Sequence, residues 1–142
     1  MDYRIRRSKA ELDSTGFIEL GPGRYSGAHW QPGFVFVWSD AFGMAEGILA
    51  RHVDGYDHLD TNDVHRDVML RVTAEWRSVA LRLPTLSTAE AAAALHLERS
   101  FAEPVDAELD AHRAEITRML LELSEACEGF CAQSDWVCVL GV

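Results

Sequence analysis

Two uninterrupted apolar runs, FVFVW at Phe34–Trp38 and WVCVL at Trp136–Leu140, constrain the fold more than any other feature of the sequence. Neither has a polar face, so each predicts a strand covered on both sides. They lie near opposite ends of the chain, and the expectation is that they meet as neighbours in the middle of one sheet. The chain before Phe34 carries the punctuation of a β-meander. Thr15–Leu20 is followed by Gly21-Pro22-Gly23, and Arg24–Trp30 by Gln31-Pro32-Gly33. Proline and glycine at these junctions supply backbone angles that suit tight turns.

Between the two runs the pattern is helical. In Asp40–His52 the residues Phe42, Ala45, Ile48 or Leu49, and His52 recur at helical spacing, and Gly43 and Gly47 would let another backbone come close. A second helix is predicted over about Asn62–Leu83, with Val64, Val68, Val72, Trp76, Val79 and Leu83 as its buried stripe. Asp63 and Asp67 suit its positive N-terminal end, and Pro84 ends it. Ser87-Thr88-Ala89-Glu90 is a capping box that opens a helix to about Glu98. The last helix is expected over Pro104–Glu128, with Gly129 as its stop. The fold class that follows is α+β in a single domain, residues 1–142. The N-terminal β-meander and the C-terminal strand form one sheet of about four strands, packed against three to four helices.

With 142 residues the chain is long enough to bury about two-thirds of its unfolded surface. Its formal charge of −10 argues against binding nucleic acid or an anionic membrane, both of which require a cationic face. No apolar run approaches a membrane span, and no secretory-type apolar segment follows MDYRIRRSK, so a cytoplasmic location is expected. Cys127, Cys131 and Cys138 are an odd number without C-x-x-C spacing. They are expected to be small buried hydrophobes in a reducing compartment.

The most polar stretch is His52–Asp67, where Asp54, Asp57, Asp60, Asp63 and Asp67 are opposed by Arg66 alone, a net charge of −4. Its acids recur every third residue, which does not match the alternate acids and twelfth-position Glu of an EF-hand. His52, His58 and His65 are six and seven apart, not the four that H-E-x-x-H zinc sites require. The letters His65-Arg66-Asp67 lack every other part of a kinase site, and Gly21, Gly23 and Gly27 lack the helix that would hold a phosphate. No G-x-S-x-G motif occurs. No catalytic residue, cofactor or metal is therefore assigned. A second acidic segment, Glu103–Glu128, carries eight acids against two arginines.

These features point to a surface rather than a catalytic centre. A compact acidic domain of this size without catalytic motifs resembles bacterial immunity proteins in general profile, a likeness that rests on no family motif. It implies an acidic protein-binding domain that neutralises a basic cognate toxin by occluding its active site. The expected contact residues are Asp54, Tyr56, Asp57, His58, Asp60, Asp63 and Asp67, with Tyr56 as the aromatic anchor. The alternative is a small enzyme or ligand-binding domain that uses the His/Asp-rich linker 52–67, for example through an acid–base pair of His58 with Asp57 or Asp60.

Overall fold

Alternation decides which side of the sheet each residue occupies. The computed structural model of the chain describes residues 1–102 and 104–141. It contains four strands, β1 (Phe17–Pro22), β2 (Val35–Trp38), β3 (Thr61–His65) and β4 (Trp136–Leu140), in one antiparallel sheet of order β2-β1-β4-β3. Five helices accompany it: α1 (Ser39–His52), α2 (Arg66–Arg82), α3 (Thr88–Ala94), α4 (Asp106–Ala111) and α5 (Arg113–Gln133). The architecture is α+β, as the patterning predicts.

Ile18, Leu20, Val35, Val37, Val64, Val137 and Val139 form the inner face and share one core with the helices. There α2 and α5 lie against each other, and α1 packs on α2. Phe17, Phe36, Cys138 and Leu140 point to the opposite face, where Phe34, Tyr25 and Trp30 cover them. Both apolar runs are thus buried on two sides, as a run without a polar face requires. Gly21 belongs to the second face, and a methyl group there would overlap the Phe34 ring.

Several local expectations are corrected. The two apolar strands are not neighbours: β1 separates β2, at one edge, from β4. Arg24–Trp30 is not a strand but a loop strapped over the outer face, with positive φ at Gly27 and Trp30 within it and at Gly23 just before it. The strap is held by the buried Glu19 carboxylate, which pairs with His29 Nδ1 at 2.6 Å and accepts the Trp30 N–H at 2.8 Å. The fourth strand comes instead from Thr61–His65, inside the region predicted as the start of a helix. Asn62 and Val64 point inward there, while Asp63 and His65 face solvent. His65 then caps α2, its Nδ1 accepting the Asp67 N–H at 3.2 Å.

Gly129 does not end the last helix. It sits on the exposed side of α5, which continues to Gln133. The predicted single helix from Pro104 is broken at His112, whose φ and ψ of −127° and 25° leave the helical region, and the third helix stops at Ala94 rather than Glu98. Glu103, the first acid of the second acidic segment, lies outside the described residues. The capping box at Ser87 and Glu90 forms as predicted. So does the close approach at Gly47, where a methyl group would overlap the His96 carbonyl. Cys127, Cys131 and Cys138 are buried and free. No helix is long and apolar enough to cross a membrane among the described residues.

Candidate functional site

The segment AFGMAEGILA (Ala41–Ala50) is apolar except for Glu46, and Glu46 is completely buried. A carboxylate in such a place needs donors that replace water. Three converge on it from outside α1. His58 Nδ1 lies 2.5 Å from Oε1, the Tyr56 hydroxyl donates to the same oxygen at 2.8 Å, and the Phe101 N–H donates to Oε2 at 2.9 Å. The His58 ring stacks on Phe101 with centroids 4.4 Å apart and planes 7° from parallel. The far nitrogen of the ring, Nε2, faces the Ser39 hydroxyl at 3.1 Å.

Ser39, Gly43 and Glu46 share a face of α1 because positions i, i+4 and i+7 align on a helix. Gly43 leaves the room in which Ala102 and Pro104 approach, and its carbonyl accepts the Ser100 hydroxyl at 2.6 Å. A cavity of about 140 Å³ opens there, lined by Ser39, Asp40, Gly43, Glu46, His58, Leu59, Phe101 and Ala102. A second hollow of about 240 Å³, also lined by Glu46, His58 and Phe101, reaches Tyr56, Asp57 and Arg99.

The same contacts fix the path of the linker. Asn62, buried at the start of β3, accepts the Asp57 N–H at 3.0 Å and donates to the carbonyls of Asp57, Asp60 and Val139. Gly55, with φ of 73°, makes the turn that leads into Tyr56. The sequence-predicted contact residues therefore divide into two groups. Asp54, Asp57, Asp60, Asp63 and Asp67 are exposed, whereas His58 is buried and Tyr56 half-buried, both turned inward on Glu46. His58 is not brought to Asp57 or Asp60 as an acid–base pair; Glu46 is its carboxylate partner.

Sequence reasoning missed Ser39, Glu46 and Asn62. A single acid inside a ten-residue apolar helix was a readable sign of a paired buried carboxylate. No comparable sign marks Asn62.

Arg and Lys partners are distributed unevenly. Asp2 binds Arg4 and Arg6 at 2.7 Å, Glu75 binds Arg51 at 2.8 Å, Glu128 binds Arg77 at 2.8 Å, and Asp110 binds Arg113 at 3.0 Å. Among the described residues, Asp54, Asp57, Asp60 and Asp63 form no ion pair at all, and Asp67 meets only His65, at 3.8 Å. The described residues likewise contain no group of three or more His, Cys, Asp or Glu arranged to hold a metal ion. The chain matches no known protein family, no curated protein and no solved structure.

Burial, followed by the charge and hydrogen bond of Glu46, pushes the Tyr56 phenol above its ordinary range. Burial, followed by Glu108, does the same to Tyr3. A raised folded-state value means that both phenols support the fold fully below the free value of about 10 and lose that support as alkali ionises them. Both are expected to stay protonated at pH 11 in the folded protein and to ionise near pH 10 in denaturant. Phenolate absorbance, compared between the wild type and Tyr3→Phe or Tyr56→Phe variants, measures this. A signal from either residue in the folded protein below pH 10 would contradict the burial described.

Proposed function

We propose that this chain is an acidic protein-binding domain of the immunity type, which neutralises a basic cognate toxin by covering its active site. One observation carries the reading: five exposed aspartates follow one another in the linker with no Arg or Lys partner among the described residues, whereas Glu75, Asp110 and Glu128 are each matched to an arginine. Clustered carboxylates without counter-charge repel one another, and a cationic partner relieves that repulsion. They also draw a basic protein in from a distance and so raise its association rate.

Two further features support a contact surface here. The loop is held in one shape by Glu46 and Asn62, so little conformational freedom is left to lose on binding. Leu59, 57% exposed in the middle of the linker, and Phe101, 61% exposed beside it, supply apolar area of the kind that interface centres bury. In this reading the five aspartates and Leu59 meet the partner, and Tyr56 and His58 set the loop that presents them.

The test is affinity capture from the source cell, with bound proteins identified by mass spectrometry and compared with the neighbouring coding sequence. The wild type is expected to retain a basic toxin-like protein. An Asp54→Arg, Asp60→Arg double variant is expected to lose it with an unchanged unfolding temperature, because both residues are exposed. Capture of no basic protein, or equal capture by the variant, would contradict the proposal.

A further inference from the structure

We propose that Ser39, His58 and Glu46 form a serine-nucleophile centre that cleaves small carboxylic esters by acyl transfer to Ser39. Nucleophile activation requires a hydroxyl within hydrogen-bond reach of a base, and a third group that orients the base. Ser39 Oγ and His58 Nε2 are 3.1 Å apart, and His58 Nδ1 and Glu46 Oε1 are 2.5 Å apart. With Nδ1–H given to the carboxylate, the neutral imidazole presents its lone pair at Nε2 to the serine hydroxyl. Glu46 is a positioning residue, itself fixed by Tyr56 and the Phe101 N–H, while Phe101 holds the ring plane by stacking.

The fold contains a second Glu–His–hydroxyl chain, and the contrast shows what sets Ser39 apart. Glu19 pairs with His29, whose Nε2 lies 3.3 Å from the Tyr25 hydroxyl. That chain straps a loop to the outer face, its histidine side chain is 42% exposed, and the hydroxyl is a phenol in the loop itself. Ser39 instead stands where β2 turns into α1, on the wall of a cavity, as the first residue of the helix. First-turn N–H groups have no acceptor within their own helix, and donors of that kind serve oxyanions in acyl transfer.

The reaction balances with water as the only co-reactant. Ser39 Oγ attacks the ester carbonyl carbon while His58 Nε2 takes the hydroxyl proton. The tetrahedral intermediate collapses, the carbon–oxygen bond to the alcohol breaks, and the departing alcohol takes the proton from Nε2. Water, deprotonated by the same nitrogen, then attacks the Ser39 acyl ester, releasing the carboxylic acid and restoring the hydroxyl. The 140 Å³ cavity suits a short acyl group rather than a fatty chain. Asp40 on its wall, with no Arg or Lys among the described lining residues, favours a neutral or cationic substrate over an anionic one.

A fluorophosphonate probe and p-nitrophenyl acetate test this on the intact chain. The wild type is expected to take up one phosphonyl group, mapped to Ser39 by peptide mass spectrometry, and to release p-nitrophenol catalytically. Ser39→Ala removes a single oxygen and should abolish both signals in a folded protein. Glu46→Gln, measured at a temperature where it stays folded, should lower kcat more than it changes KM, since the carboxylate acts through His58; a purely structural role would leave kcat intact in the folded variant. A folded wild type that takes up no probe, or hydrolysis that survives in Ser39→Ala, overturns the proposal. The Asp54→Arg, Asp60→Arg variant should keep both signals, and Ser39→Ala should still capture a partner, so the ester-cleaving and partner-binding readings fail separately.

Discussion

Trp76→Ala is expected to lose about 3–5 kcal/mol of folding stability. The side chain is fully buried in the core shared by α1, α2 and the inner face of the sheet, and its indole N–H donates to the Ala45 carbonyl at 2.9 Å. Truncation leaves a cavity and removes a hydrogen bond that pins α2 to α1. Domains of this size hold about 5–15 kcal/mol in total, so the variant is expected to express poorly, and Trp76→Phe provides a milder member of the series. Urea unfolding of both variants measures the effect. A loss below about 1 kcal/mol for the alanine variant would mean that the indole is not a core residue.

Glu46→Ala is expected to be about as damaging. It leaves the Tyr56 hydroxyl, the His58 Nδ1–H and the Phe101 N–H without their acceptor. Each buried donor left unpaired costs about 1–3 kcal/mol, and water entering the neighbouring hollows offsets part of the sum. A net loss of about 3 kcal/mol is expected in urea unfolding, with faster hydrogen exchange across 53–60 as the linker comes free. Glu46→Gln keeps an acceptor and should lose less. Equal stability for Glu46→Ala and the wild type would mean that the linker is held by Asn62 alone.

What the sequence reveals depends on how far apart the interacting residues are. FVFVW and WVCVL are legible as buried strands because their apolar character is intrinsic to the segment. The Val72, Trp76 and Val79 stripe and the Ser87 capping box are equally local. Their sheet order was not legible, since pairing β4 between β1 and β3 depends on partners distant in the chain. Thr61–His65 misleads because TNDVH has an acid, Asp63, that suits a helix N-terminus, whereas its period-two placement of Asn62 and Val64 emerges only beside β4. Gly129 misleads for the opposite reason. A helix anchored by Cys127, Phe130 and Cys131 on its buried side runs through an exposed glycine.

The candidate site was half legible. The linker aspartates face solvent, as a polar, turn-rich stretch suggests. Tyr56 and His58 looked like part of the same outward surface and turn inward only because Glu46, ten and twelve residues earlier, waits beneath them. Ser39 gave no sign of its own. Its place beside His58 depends on a loop and a helix end meeting in space, which no spacing rule within either segment records.

The central claim is that uncompensated charge on 54–67 draws in a basic partner, and the salt dependence of association tests it most directly. For the protein captured by the wild type, the association rate constant is measured by stopped flow from low to high ionic strength. The account predicts a steep fall with salt, as screening shortens the reach of exposed charges to about 8 Å near physiological ionic strength. It also predicts a rate at least about tenfold lower at low salt, with a flatter salt dependence, for the Asp54→Arg, Asp60→Arg variant. An association rate that is the same at both salt extremes, or unchanged by the charge reversal, would contradict it.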